Sequence, residues 1–220
     1  NNTEKSSPKI LADVQLEEIS RIATTFGELD RVLGGGLVPG SVTLLGGSPG
    51  AGKSTLLLQL ACSLSDSIDI FYVSGEESMQ QVALRANRLA LPHKNLHLMS
   101  ETKLQDILSV ANDVKPTVLV IDSIQVMYLD GLSSAPGGVS QVRECSAVLT
   151  QFAKQSGTVL ILVGHVTKDG LLAGPKVLEH IVDCSLLLEG DANNRFRTLR
   201  SQKNRFGAVN ELGVFAMLEQ

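Results

Sequence analysis

The chain has 220 residues, 43% of them hydrophobic and 19% charged, which is enough to bury the core of one α/β domain. Its net charge of −4 excludes a strong bulk attraction to nucleic acid, so any such binding must come from a local basic face. No apolar run reaches the length of a membrane span, and we expect no membrane partner.

The three cysteines, Cys62, Cys145 and Cys184, are widely spaced along the chain. They form no C-x-x-C pair, so local spacing gives no zinc site, and each is expected to be a small buried hydrophobe. An odd number of cysteines without a secretory signal sequence favours reduced thiols, and we expect a cytoplasmic protein.

Residues 1–20 are polar and weakly periodic, and we predict an N-terminal linker or arm ahead of a single domain over residues 21–220. Thr25 and Glu28 have the spacing of a capping box, which predicts a short helix that ends at the glycines of residues 34–36. A Pro-Gly turn then leads into the first strand of the core.

That first strand, over residues 41–45, is followed by a sequence that fits the phosphate-binding pattern G-x-x-x-x-G-K-[ST]. An apolar helix begins directly after it, so strand, glycine-rich turn and helix N-terminus follow in the order that phosphate binding requires. An accidental glycine-rich turn is the alternative, with odds on the order of one in a hundred for a chain of ordinary glycine content. Lys53 is expected to contact the β- and γ-phosphates. We predict nucleotide binding by Gly47, Ser48, Pro49, Gly50, Ala51, Gly52, Lys53, Ser54 and Thr55.

Predicted strands and helices alternate along the rest of the chain. The run over residues 117–122 is continuously apolar, as is typical of a parallel strand covered on both faces. Other strands are predicted at residues 69–74, 96–99 and 158–163, helices at residues 78–91, 103–114 and 139–155, and a glycine-containing loop at residues 130–138. Consecutive strands at residues 184–189, 196–201 and 214–218 are expected to form an antiparallel extension. The fold class is therefore α/β, with a mainly parallel twisted sheet, helices on both faces and an antiparallel C-terminal extension.

Acidic residues follow two predicted strands whose carboxyl ends should converge on the nucleotide. Asp122 ends one strand, where a carboxylate could hold Mg²⁺ together with the Ser54 hydroxyl, or could simply begin a turn. Glu76 and Glu77 follow the strand of residues 69–74, and one of them could polarise the water that attacks the γ-phosphate. We favour Glu76 for this role and assign Glu77 to the dipole of the following helix.

His165 follows the strand of residues 158–163, so it also points toward the expected nucleotide site. It is a candidate to contact the γ-phosphate or the attacking water and to report hydrolysis to the loop of residues 168–176. The alternative is a histidine that is hydrogen-bonded at a strand end and has no part in catalysis.

Lys203 and Arg205 place two cations in one turn, and Arg195, Arg197 and Arg200 precede them. Such a basic corner could be solvated surface or a nucleic-acid surface. In an oligomer, the turn could instead enter a neighbour's nucleotide site and neutralise charge that develops on the phosphoryl group. We favour this last role for Lys203 and Arg205.

Taken together, five segments resemble the RadA (Sms) family of bacterial DNA repair ATPases. They are the phosphate-binding loop and residues 73–78, 120–125, 164–170 and 203–207, and the last of these carries the pentapeptide that is the family's own signature. The resemblance extends from about residue 19 to residue 220. It implies a RecA-like P-loop fold, hydrolysis of ATP with Mg²⁺, binding of single-stranded and branched DNA, and DnaB-like homo-hexameric rings. It also implies a part in processing recombination intermediates, with a recombinase as a further expected partner.

The resemblance also implies roles for individual residues. Glu76 matches the water-activating glutamate, His165 the γ-phosphate sensor, and Lys203 and Arg205 the cations that reach the adjacent subunit's ATP. The loop that carries Lys168 and Lys176 is expected to face the central channel and bind DNA, as is the loop of residues 130–138. The family's four-cysteine zinc module and Lon-protease-like domain are absent from this sequence, so we expect an isolated ATPase core.

Two other function classes compete with a DNA-dependent motor. One is a RecA-fold ATPase that drives assembly or signalling without DNA, and salt-dependent binding of single-stranded DNA would distinguish the two. The other is a small-molecule kinase, which needs a substrate lid and an acceptor pocket that the sequence does not indicate.

Overall fold

The computed structural model describes residues 7–92, 94–165, 177–190 and 193–216, and all elements named below lie within them. The strands are β1 (Val42–Gly47), β2 (Ile70–Ser74), β3 (Leu96–Ser100), β4 (Val118–Asp122), β5 (Val159–His165), β6 (Cys184–Glu189), β7 (Phe196–Asn204) and β8 (Leu212–Ala216). The helices are α1 (Gly27–Leu33), α2 (Lys53–Leu64), α3 (Met79–Arg88), α4 (Leu104–Val114), α5 (Val139–Ser156) and α6 (Val177–Ile181), with short 3-10 helices at Leu11–Asp13 and Ile124–Val126.

The eight strands form one sheet in the order β3-β2-β4-β5-β1-β6-β7-β8. All pairs from β3 to β6 are parallel, whereas β6 with β7 and β7 with β8 are antiparallel. The predicted α/β class with an antiparallel C-terminal extension is confirmed. The extension is one strand shorter than expected, because β6 pairs in parallel with β1 after the long connection that crosses over from β5.

Both faces of the sheet are covered. Successive residues of a strand point to opposite faces, and accordingly Leu44 and Leu119 belong to one apolar cluster while Leu45 and Val120 belong to another. The first cluster includes residues of α4 and α5, and the second includes residues of α1 and α2. β1, β2 and β4 are buried along their whole length, which explains their continuous apolar sequences.

The start of α1 differs from the expected capping box. Phe26 occupies the N-cap position without a capping side-chain hydrogen bond, and Thr25 adopts a positive φ of 69°. Thr24 instead donates its backbone N–H and its hydroxyl to Asp30 Oδ1, at 2.8 and 2.7 Å. The predicted end of the helix is confirmed, since Gly34 is left-handed with a φ of 85°.

β7 extends to Asn204, three residues beyond its predicted end. Lys203 is therefore a strand residue, and Arg205 begins the turn that follows it. The C-terminal strand also starts earlier than expected, at Leu212, and residues 217 and 218 of its predicted range lie outside the described residues.

Residues 7–20 are exposed and contribute no strand to the sheet. Leu16 is 97% exposed and Leu11 is 86% exposed. No helix among the described residues is long and apolar enough to cross a membrane.

Candidate nucleotide-binding site

The carboxyl ends of four neighbouring parallel strands bring the predicted site residues together. Gly47 at the end of β1 pairs with His165 at the end of β5, and Ser74 at the end of β2 pairs with Asp122 at the end of β4. In a parallel sheet this edge is where ligands bind. Glu76 follows β2 at the same edge.

The phosphate-binding pattern occupies the turn between β1 and the first turn of α2. Gly52 is the N-cap of α2 and is left-handed, with a φ of 94°. A Cβ atom on Gly47 would lie 2.8 Å from the carbonyl oxygen of Leu188 and 3.2 Å from Lys53 Cδ. Glycine at this position therefore lets β6 and the lysine side chain approach the backbone closely.

Lys53 is almost fully buried, and its ammonium group lies inside the loop. Its Nζ donates to the carbonyl oxygens of Gly47 at 2.6 Å and Ser48 at 3.1 Å. Burial lowers the pKa of Lys53, and the carboxylates of Asp122 and Glu76 act in the opposite direction. The ammonium is thus held within the loop by two of its carbonyl oxygens.

Ser54, Asp122 and Tyr72 form a hydrogen-bonded group beneath the loop. Asp122 Oδ2 accepts from Ser54 Oγ at 2.6 Å and from Tyr72 Oη at 2.9 Å. Burial, and then the Asp122 carboxylate, raise the pKa of Tyr72 well above its ordinary value, so the phenol stays a donor. Two donors on one oxygen fix the orientation of the carboxylate.

The same group fits a divalent cation. Asp122 Oδ1 is buried and has no hydrogen-bond partner among the described residues, although an acceptor in that situation requires one. It belongs to the carboxylate whose other oxygen accepts from Ser54, and Mg²⁺ prefers one or two carboxylate ligands together with phosphate oxygens and water. No cluster of three or more His, Cys, Asp and Glu side chains that could hold a metal by itself occurs within the described residues.

Glu76 and His165 are in contact across the same edge. Glu76 Oε1 lies 3.0 Å from His165 Nε2 and accepts from Ser123 Oγ at 3.3 Å. Both side chains are partly exposed, so a ligand or a water molecule can reach them. The Glu77 carboxylate pairs with Arg85 of α3 instead of capping the helix, since Ser78 and Gln81 form the capping box there.

Arg197, which the sequence placed in a basic corner with Arg195 and Arg200, is buried and belongs to the site. It lies at a buried position of β7, and its Nε donates to the carbonyl oxygen of Ala51 in the loop at 2.9 Å. Its Nη1 donates to the carbonyl oxygens of Asn194 and Phe196. The sequence signal for its burial is the alternation of inward- and outward-facing residues along β7. Arg197 shares the inward face of that strand with Leu199 and Ser201.

A cavity of about 480 Å³ opens beside Gly52, on the side of the loop away from Glu76 and His165. Its lining is mainly apolar and includes Phe26, Leu56, Leu188 and Phe215, with Asp66 and Arg197 as its charged members among the described residues. A pocket of this size, with few polar groups, is typical of sites for small organic molecules.

Lys203 and Arg205 lie at the other end of the sheet from the loop. Asn204 pairs with Cys184, and the neighbouring Asp183 donates its backbone N–H to the carbonyl oxygen of Val42, the first residue of β1. The length of β1 separates this level from the phosphate-binding loop by roughly 17 Å, at about 3.3 Å per strand residue. The structure therefore does not bring these two cations to the loop of their own chain.

The predicted DNA-binding residues Lys168 and Lys176 lie outside the described residues. The segment that contains them begins directly after His165. The three cysteines are buried and unpaired as expected, and burial raises the pKa of Cys62 and Cys145 to about 11.

Comparisons with known proteins identify the type of domain. Residues 7–171 match the family described as AAA domain. The chain is 63% identical over 210 residues to the DNA repair protein RadA of Salmonella typhimurium, covering 96% of this chain and 46% of that protein. It is 50% identical over 214 residues to RadA of Bacillus subtilis, covering 97% of this chain and 47% of that protein. The chain thus spans about half the length of the curated relatives it matches.

A solved structure supports the fold independently. The KaiC-like protein PH0186 from Pyrococcus horikoshii matches with a TM-score of 0.73, over 91% of this chain and 100% of that one. Its sequence identity of 18% shows a shared fold and no more. The resemblance to RadA and the RecA-like fold expected from it are confirmed.

Replacement of Arg197 by Met tests whether this arginine supports the loop. The substitution removes the hydrogen bond to Ala51 while keeping an unbranched side chain, and we expect ATP affinity to fall by about tenfold, near 1.4 kcal/mol. Isothermal titration with ATP measures it. The matched control is Arg200→Met on the same strand, whose guanidinium is half exposed 3.9 Å from Glu189, and its affinity should be unchanged. Equal affinities of the two variants would contradict a role for Arg197.

Replacement of Tyr72 by Phe tests the orientation of Asp122. The loss of one donor on Oδ2 loosens the carboxylate, and we expect ATP turnover to need several-fold more Mg²⁺ for half-maximal rate. Turnover measured against Mg²⁺ concentration checks this. The control is Tyr128→Phe, because Tyr128 is the other tyrosine of the chain and lies outside the site. An unchanged Mg²⁺ dependence in Tyr72→Phe would show that Ser54 alone is sufficient.

Proposed function

The chain belongs to the AAA domain family and corresponds to the ATPase core of RadA proteins, and we propose that it is a DNA-dependent ATPase whose sites are completed by an adjacent copy. ATP hydrolase activity follows from the family. The observation that carries the proposal is the convergence of Lys53, Ser54, Asp122, Glu76 and His165 at one edge of the sheet.

Each of these groups has a distinct chemical role in the proposal. The Lys53 ammonium and the loop N–H groups hold the β- and γ-phosphates, and the oxygens of Ser54 and Asp122 hold Mg²⁺. When bound, Mg²⁺ neutralises charge on the phosphate oxygens. The Glu76 carboxylate orients the attacking water and accepts its proton, and His165, 3.0 Å away, contacts the same water or the γ-phosphate.

The nucleoside part of ATP fits the cavity beside Gly52. In the proposal the phosphates follow the loop, which leaves the base and ribose on the side lined by Phe26, Leu56 and Phe215. Aromatic and aliphatic walls suit the faces of a purine ring. Arg197 then lies between this cavity and the loop, where it keeps the carbonyl of Ala51 in position.

The remaining requirement is a cation for the charge that develops on the transferred phosphoryl group. Lys203 and Arg205 match the required chemistry, yet they lie roughly 17 Å from the loop of the same chain, at about 3.3 Å per strand residue. We propose that they serve the site of an adjacent subunit, in a ring of six copies, as arginine fingers do in trans.

The proposed DNA ligand is single-stranded or branched DNA that arises during recombination, with a recombinase as an additional partner. Support comes from the RadA relatives, which are named DNA repair proteins. The segment with Lys168 and Lys176 continues directly from His165, so hydrolysis at the γ-phosphate and contact with DNA would be coupled through a single connection. With a net charge of −4, the DNA surface must be local.

Mixing of two inactive variants tests the shared site. Lys53→Ala should lose hydrolysis, and Arg205→Ala should bind ATP normally but lose turnover by about a thousandfold or more, in the range for such cations. An equimolar mixture should regain activity, because an intact loop on one subunit then meets an intact Arg205 on another. Steady-state turnover measures this. Full turnover by Arg205→Ala alone would contradict the proposal.

Dependence on salt tests the DNA ligand. Single-stranded DNA should stimulate turnover, and its affinity should fall linearly with salt on a log-log plot whose slope counts the displaced counterions. Replacing both Lys168 and Lys176 by Ala should reduce that slope by about 1 to 2 units. The control replaces the exposed Lys94 and Lys115, and its slope should match that of the parent protein. Intact ATP turnover with no DNA binding at low salt would instead favour an assembly ATPase.

A further inference from the structure

Asp183 is a buried carboxylate at the end of the sheet opposite the phosphate-binding loop. Its side chain is 1% exposed, and it lies directly before β6. Oδ2 accepts from the backbone N–H of Val42 and from Lys154 Nζ, both at 2.8 Å. Oδ1 lies 2.7 Å from Arg205 Nη1, which makes an ion pair without the geometry of a hydrogen bond. One buried carboxylate therefore interacts with two cations, one on each oxygen.

The two oxygens are not equivalent. A carboxylate removed from water is strongly destabilised unless it is paired and hydrogen-bonded. Oδ2 accepts two hydrogen bonds, whereas Oδ1 accepts none among the described residues and is compensated by the ion pair with the Arg205 guanidinium. The charge on Oδ1 is therefore compensated only when the Arg205 guanidinium lies next to it. Oδ2 has its own cation in Lys154.

Asp183 also holds the backbone of the same turn. The backbone N–H of Arg205 donates to the carbonyl oxygen of Asp183 at 2.9 Å. Asn204 fixes the turn from the other side, since its Nδ2 donates to the carbonyl oxygen of Leu33 at 3.1 Å and its Oδ1 accepts from the N–H of Phe206 at 3.0 Å. Both the main chain and the side chain of Arg205 are thereby restrained before any second subunit is involved.

The restraint leaves most of the guanidinium available. The Arg205 side chain is 54% exposed, and one of its three nitrogens contacts Asp183. A free arginine side chain loses conformational entropy when it is fixed in one rotamer. Here folding of the chain already supplies that ordering, as preorganised catalytic groups require.

We propose that Asp183 is a positioning residue that holds the Arg205 guanidinium in the direction from which it reaches the nucleotide of an adjacent subunit. The inference rests on the proposed sharing of sites between subunits. Asp183 does not touch the nucleotide itself, and its effect on hydrolysis passes through Arg205.

The test replaces Asp183 by Asn, which preserves the shape of the side chain and an acceptor for Val42. The charge-assisted contact with Arg205 is lost, so turnover should fall by about tenfold or more while the KM for ATP stays nearly constant. In a mixture with Lys53→Ala subunits, activity should return, because the Asp183→Asn subunit still has an intact loop. The double variant Asp183→Asn with Arg205→Ala should be no slower than Arg205→Ala alone.

Lys154→Met is the matched control, since it removes the other cation from the same carboxylate and leaves Arg205 in place. Its turnover should stay within about twofold of the parent rate, a difference below 0.5 kcal/mol. An equal loss in Lys154→Met, or an Asp183→Asn variant that Lys53→Ala subunits do not rescue, would show a purely structural role and overturn the inference.

Two further outcomes separate this inference from the function on which it rests. Normal turnover in Asp183→Asn together with inactive Arg205→Ala would overturn the positioning role and leave the shared site intact. Normal turnover in Arg205→Ala would overturn the shared site itself, and the inference with it.

Discussion

The parallel register of four strands is the constraint on which the rest of the molecule depends. Because Gly47 pairs with His165, Ser74 pairs with Asp122 and β4 pairs in parallel with β5, the carboxyl ends of β1, β5, β2 and β4 lie on one edge of the sheet. The hydrogen bond from Ser54 to Asp122, at 2.6 Å, then joins the loop after β1 to the end of β4. A slip of one residue in any of these strands would also turn its side chains to the opposite face, which two apolar clusters forbid.

The same register places a second charged cluster at the far end of the sheet. There Asp183 interacts with the start of β1, with Lys154 at the end of α5 and with Arg205 after β7. β7 is antiparallel to β6, so its first residues reach the nucleotide loop and its last residues reach the opposite end. One strand thus carries Arg197 beside Ala51 and Lys203 beside Glu179, and it connects the two ends of the sheet.

The features that the sequence revealed are local ones. The phosphate-binding loop, the apolar run before Asp122 and the positions of Glu76 and His165 after strands are all readable within a few residues. The contacts of Tyr72, Arg197 and Asp183 were not predicted because their partners are distant in sequence. Tyr72 contacts Asp122 fifty residues away, Arg197 contacts Ala51 146 residues away, and Asp183 contacts Val42 141 residues away. The end of β7 was missed for a related reason, since buried Ser201 and Asn204 interrupt the apolar alternation that identifies a strand.

The separation of the two ends also bears on how copies could assemble. The surface that would donate Arg205 and the surface that would receive it are different patches, roughly 17 Å apart along β1 at about 3.3 Å per residue. Contacts between unlike patches are heterologous, and they either close into a ring or continue as a filament. Each subunit in such an assembly has one site that depends on a neighbour and one cation that serves another neighbour. The buried carboxylate of Asp183 would then stabilise the fold of its own chain and the catalytic geometry of the next, which gives a reason for keeping a buried charge there.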